Sequence, residues 1–296
     1  MLDTKQTIIP ATFDPVFKTL LTSEECRDYL ADIISYITKI PREDIINNII
    51  IKNNELMKNN VYEKKKTTDL IIDILNCRIN LEMNKEYYDG VFSKNNSYQH
   101  KIAAEQFLVG QNYIEEKKII QINFDVFATR FDERPIIKFM IIDVERNILE
   151  TENYEKYHVN LDLIEKMNYN KEKLRREEKE LLLLTMDNID EINSLVKGDS
   201  TMEKVRDKLI QLSEDEELVG VYDKEIVDMK IRNSMIMTAQ KEGIEQGSNQ
   251  EKINIAKKML EEKINIDIIS KVTGLTIDEI NNWFSKNNFL KNFTKP

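Results

Sequence analysis

The sequence predicts a mixed α/β (α+β) chain, with a core of helix, three strands, helix, strand and strand around a mixed sheet, followed by a helical C-terminal region. Three observations predict it. Thr67 to Lys85 holds two short apolar, β-branched runs joined by a tight turn. Ile119 to Phe127 and Ile136 to Val144 are further apolar β runs, and a helical stretch separates them from the first pair. After Lys171, charge-rich helical sequence dominates.

The chain has 296 residues, 41% hydrophobic and 32% charged, enough for one large domain or two modest ones. The boundaries expected are a core at 1–150, an acidic and mostly helical region at 151–235, and a helical tail at 236–296. No run of about 18 apolar residues occurs, so no membrane-spanning helix and no membrane partner is expected. The start, MLDTKQTIIP, lacks the pattern of a secretory signal, and Cys26 and Cys77 lack CxxC spacing. Reduced thiols and a cytoplasmic location are the expectation.

Asp14-Pro15 predicts a helix start, with Asp14 as a cap and Phe17, Leu20 and Leu21 on the apolar side. Thr22-Ser23-Glu24-Glu25 predicts a capping box leading into a second helix that runs to about Thr38. Pro41 breaks the pattern, and Asn47 to Leu56 predicts the first strand. The run from Phe92 to Tyr113 predicts a long helix ending near Gly110, and Tyr157 to Leu163 alternates as a further strand would. His100 and His158 are assigned no role. A helix from Asp223 to Gln246 carries Ile226, Met229, Met235 and Met237, a stripe that suits packing and would also suit a partner helix, hence a homo-oligomer. Ile264 to Phe284 predicts two helices joined at Val272-Thr273-Gly274-Leu275, with Thr276 and Glu279 as a capping box and Trp283 and Phe284 as anchors.

Acids inside the apolar hairpin need a reason. Side chains alternate along a strand, so Asp69 and Asp73 share one face and Glu82 and Asn84 share one face of the next strand. With Asn76-Cys77 as a two-residue turn, Asp69 and Glu82 become diagonal neighbours roughly 7 to 8 Å apart. Converging carboxylates repel, and a divalent cation relieves that repulsion. Oxygen ligands without His or Cys favour Mg²⁺ or Mn²⁺. The alternative is a solvated strand face with no ion. The net charge of −10 opposes phosphate binding, but Lys64, Lys65 and Lys66 precede the hairpin and Lys85, Lys94 and Lys101 follow it, a basic rim that suits DNA contacts.

Four motifs resemble a known family, the recombination-promoting nuclease (Rpn) or transposase branch of the PD-(D/E)XK nucleases. Asp69, then Asn80-Leu81-Glu82-Met83-Asn84, resembles its D…(N/D)hExQ core, and Phe13-Asp14-Pro15-Val16-Phe17-Lys18 resembles its opening D-x-x-F-K. Lys241 to Gly247 is similar to its KGIEKG segment, and Thr273 to Ile280 to its TGLSxEEI tail. The resemblance implies a restriction-endonuclease-like αβββαβ core and Mg²⁺- or Mn²⁺-dependent hydrolysis of DNA. It implies catalytic roles for Asp14, Asp69, Glu82 and Asn84, with Asp69 and Glu82 as metal ligands. Two departures stand out. The family usually has Gln or Lys where this chain has Asn84, about 1.5 Å shorter than Gln and unable to act as a base. It also tends to carry an Arg in the helix after the hairpin, where Phe92 to Gln106 has none. A nuclease-fold protein that acts by binding DNA or by assembly is therefore the second reading.

Overall fold

The computed structural model describes residues 7–52, 55–56, 66–106, 116–131 and 133–286. Helix α1 is Asp14–Thr22, and its N-cap residue is Phe13, not Asp14. No side chain caps it, and the fixed φ of Pro15 starts the helix instead. The capping box expected from Thr22-Ser23-Glu24-Glu25 does not form, because Thr22 Oγ1 donates to the Lys18 carbonyl at 2.8 Å. Ser23 Oγ donates to the Leu20 carbonyl at 2.9 Å, and a 3₁₀ turn, Glu24–Cys26, leads into α2, Arg27–Thr38. Pro41 then caps a third helix, α3, Arg42–Asn48, whose first turn holds Glu43 and Asp44 where the helix dipole favours them. That helix displaces the strand expected from Asn47, and β1 is only Ile50–Lys52.

The short strands β2 (Glu55–Leu56) and β3 (Lys66–Thr67) pair with each other, and the hairpin consists of β4 (Leu70–Ile74) and β5 (Cys77–Asn84). Helix α4 is Val91–Ala104, ending before the stretch 107–115, so the expected end near Gly110 lies outside the described residues. Next come β6 (Lys118–Asp125), β7 (Ile136–Phe139), β8 (Ile142–Asp143), β9 (Ile148–Leu149) and β10 (Tyr154–Asn160). The strand expected to reach Leu163 stops at Asn160, because Asn160 turns its side chain to accept from Leu163 N and so caps α5, Leu161–Tyr169.

The main sheet has six strands in the order β1-β4-β5-β6-β10-β7. It is mixed, with β5 and β10 parallel to β6 and the other pairs antiparallel. One face is apolar. Leu70, Ile72, Leu81, Ile122, Phe124 and Val159 pack there against α1, α2 and the helices α6 (Arg176–Leu182), α7 (Ile189–Val196) and α8 (Ser200–Ser213). The opposite face carries α4 and most of the buried polar side chains.

A boundary at residue 150 would cut through this sheet, since β10 lies between β6 and β7. The compact unit instead runs to Tyr222, and residues 223–296 form a second unit. The boundary falls within α9, Glu216–Glu261, on which Met235 and Met237 are exposed. In the second unit α10 (Ile266–Thr273) and α11 (Ile277–Lys286) close on Ala256, with Ile269 and Ile280 as the buried core. Gly274 ends α10 at a φ of 71°, which glycine adopts without strain, and Thr276 and Glu279 cap each other as expected. The side chains of Trp283 and Phe284 lie outside the described residues. Among the described residues no helix is long and apolar enough to cross a membrane.

A chain truncated after Asn153 should therefore fail to fold, because it loses β10 and the helices that cover the apolar face. A chain ending at Tyr222 should give a cooperative thermal transition. Circular dichroism melts of the two test this.

Candidate active site

The hairpin turns at Leu75-Asn76, one residue earlier than the expected Asn76-Cys77, with Leu75 in the left-handed region at a φ of 52°. The closing pair is Ile74 with Cys77, so Asp73 faces Arg78 and Ile71 faces Asn80. This register differs from the expected one by two residues, which leaves every side chain on its own face. The ladder ends at the Leu70–Leu81 pair, and Asp69, one residue before it, is hydrogen-bonded to Glu82 and Met83 instead of being paired with Asn84 as expected.

Backbone and side chain lock the two acids together. Met83 N donates to Asp69 Oδ2 at 2.7 Å, and Asp69 N donates to Glu82 Oε1 at 3.2 Å. Asn80 Nδ2 reaches the same Oε1 at 3.3 Å. Glu82 Oε2 is buried and accepts no hydrogen bond from the described residues, while Lys94 Nζ stands 3.4 Å away. Burial, and then the charge of Asp69, push the Glu82 carboxyl up to about 8, against the pull of Lys94. Asp69 is raised as well, by burial and by the charge of Asp14, against the Met83 N–H and the ammonium groups of Lys94 and Lys18. Asp73 shares their face but belongs elsewhere. Burial alone would raise it, yet hydrogen bonds from Arg78 at 2.8 and 3.0 Å and from Lys117 at 2.8 Å hold it below the usual carboxylate range.

Asp14 makes no cap. Its Oδ1 lies 3.1 Å from Lys85 Nζ, and that ammonium sits 5.4 Å from the Phe13 ring centroid. Strand parity alone aims Lys85 away from the face of Asn84, and Asp14 is a partner that it reaches. Of the other lysines expected on DNA, Lys94 pairs with Glu82, and Lys101 is buried with its Nζ 4.0 Å from Glu105. Lys101 is thus not a surface contact. Lys64, Lys65 and the Lys66 side chain lie outside the described residues.

Asn84 is tied to two residues to which the sequence assigns no role. Its Nδ2 donates to Asp125 Oδ1 at 2.8 Å, and His158 Nδ1 lies 2.7 Å from Asp125 Oδ2. A carboxylate partner assigns the proton to Nδ1. The imidazole is boxed by Phe92, Phe131 and Phe139, at centroid distances of 5.4, 4.9 and 5.7 Å. Asp125 continues a buried polar ladder on the same face. Asn80 donates to Gln121 at 2.9 Å, and Gln121 donates to Asn123 at 3.0 Å. The signal for this ladder lies in Gln121, Asn123 and Asp125, which alternate inside an otherwise apolar strand.

Among the described residues no group of three or more His, Cys, Asp and Glu is placed to hold a metal ion. The Asp69–Glu82 pair nevertheless fits a hard divalent ion. It supplies two carboxylates and a buried oxygen without a hydrogen bond, and such ions keep water and phosphate in their remaining positions.

Residues 11–239 match the profile of the family described as PD-(D/E)XK nuclease family transposase. Residues 249–284 match the Rpn/YhgA-like nuclease family, C-terminal HTH domain. No curated protein and no solved structure matches the chain.

Because Glu82 holds its proton to higher pH when folded than when unfolded, its contribution to metal-free stability is full below about 4.5 and is lost as pH rises through about 8. The slope is at most about 1.4 kcal/mol per pH unit. Chelator-treated Glu82→Gln should lack that slope and melt above wild type at pH 9. Equal melting temperatures across the range would rule it out.

Proposed function

The chain belongs to the PD-(D/E)XK nuclease family transposases, and from that membership we propose that it is a DNA endonuclease of the recombination-promoting type, dependent on Mg²⁺ or Mn²⁺. One observation carries the reading. Asp69 and Glu82 meet at the end of the hairpin, Asp69 N donating to Glu82 Oε1, and the other oxygen of the buried Glu82 accepts no hydrogen bond from the described residues. Two buried acids so close, offset by the single ammonium of Lys94, remain costly unless a further cation meets them. Asp69 and Glu82 would hold the ion. When bound, such an ion supplies Lewis acidity towards a phosphate oxygen and lowers the pKa of a water.

The remaining roles belong to the chain itself. Lys94 offsets negative charge next to Glu82, in the helix where relatives tend to carry Arg. The Asp14–Lys85 pair sets a cation beside Asp14, within electrostatic reach of Asp69. The Asn84 amide has its NH₂ on Asp125, which makes its carbonyl oxygen the end that can accept from a water. The second unit, with its helix-turn-helix match, supports DNA as the partner. Two free thiols suit a reducing, cytoplasmic setting.

The tie between Asn84 and Asp125 favours the second reading, a weakened nuclease that works by binding. A lysine placed at 84 would meet Asp125, not the acid pair.

Nicking of supercoiled plasmid decides between them. Wild type with Mg²⁺ or Mn²⁺ should cut, chelator should stop it, and Asp69→Ala or Glu82→Gln should lower the rate by more than about 100-fold, since such sites supply several kcal/mol. Equal inertness of wild type and Asp69→Ala, with DNA binding intact, would replace the enzyme reading with the binding one.

A further inference from the structure

Between β5 and α4 the chain runs Lys85-Glu86-Tyr87-Tyr88-Asp89-Gly90 and leaves two neighbouring rings half in solvent, Tyr87 at 54% and Tyr88 at 50% exposure. Both are held from behind. Tyr87 lies edge-on to Phe92 and Phe127, at 6.2 and 5.5 Å between centroids. Tyr88 lies over Gly90, its Cε2 only 3.2 Å from where a Cβ would stand, so a side chain at 90 would push the ring away.

Of the two rings, Tyr88 lies near the cation that pairs with Glu82. Tyr88 is close enough to Lys94 and Tyr98 to perturb both, and Lys94 Nζ is 3.4 Å from Glu82 Oε2 and 5.4 Å from the Tyr98 ring centroid. The Arg130 guanidinium sits 5.8 Å from the centroid of the Phe92 ring, on which Tyr87 also packs. Aromatic faces alternating with cations are what single strands bind, bases stacking on rings while cations track the phosphates. Charge alone gives this chain little affinity. Its net charge is −10, Lys101 is buried and Lys85 is paired with Asp14.

We propose that Tyr87 and Tyr88 form a stacking platform for unpaired nucleobases beside the acid pair, so that the substrate class of this site is single-stranded or locally unpaired DNA. The proposal rests on the nuclease reading for cleavage, though not for binding. Bases inside an intact duplex already stack on each other and offer the rings no face.

The test measures fluorescence anisotropy of the full chain in EDTA, where nothing is cut, with three labelled DNAs. They are a single strand, its duplex, and the same strand carrying abasic linkers. The single strand should bind more tightly than the duplex. Removing the bases should weaken binding by about 5- to 150-fold for each base taken off a ring. Tyr88→Ala should lose one ring's share of that factor on the base-bearing strand and nothing further on the abasic one, while Tyr88→Trp keeps the affinity. Tyr87→Leu, which preserves packing on Phe92 and Phe127, should weaken only base-bearing DNA. Equal affinity for abasic and base-bearing strands, or unchanged affinity in Tyr88→Ala and Tyr87→Leu at an unchanged melting temperature, would overturn the platform. Base-dependent binding without nicking would sink the nuclease reading alone. Nicking with affinity indifferent to the rings would sink the platform alone.

Discussion

Two carboxylates held together at the end of one hairpin are the constraint around which the polar side of this protein is arranged. Asp69 and Glu82 repel each other in surroundings with little water, and the fold answers with a backbone N–H from each strand, an amide from Asn80 and an ammonium from α4. Each answer needs another part of the chain in place. The amide is itself fixed by Gln121 on β6, and Lys94 is aimed by a helix that covers the polar face. The cost of burying acid is thereby distributed over strands, helix and amides, with none of them sufficient alone.

The two faces of the sheet do different jobs for a reason visible in its register. Odd positions on β5 and even positions on β6 carry Leu81, Met83, Ile122 and Phe124 to the helical core, and the alternate positions carry amides and acids. A slip of one residue in either strand would bury the acids among leucines and bare the isoleucines. Stability and site geometry are thus set by the same pairing. The polar ladder has few bonds to lose, and its members are nearly all buried.

Much of this arrangement is legible in the amino-acid sequence. Alternation alone puts Asp69 and Glu82 on shared faces, and that inference survives an error in the turn because a two-residue change of register preserves parity. The turn itself is hidden because Leu75 accepts a left-handed φ that its side chain does not advertise. Strand β1 is shorter than its isoleucines suggest because Pro41, Glu43 and Asp44 favour a short helix more strongly than the residues after them favour a strand. Asp125 and His158 escape a sequence reading for a different reason. Their meeting depends on β10 returning to lie against β6, and no local pattern announces a pairing between segments more than about thirty residues apart.

That late return of β10 has a consequence for a chain made from its N-terminus. Until residues 154–160 have left the ribosome, β6 presents Ile119, Ile120, Ile122 and Phe124 along a strand with one edge unpaired. In the same interval Asp125 has no histidine and Asn123 no Tyr157 carbonyl to bond. The nascent protein therefore passes through a stage with an open strand edge and an unfinished polar ladder, and the strand that closes the edge also finishes the ladder.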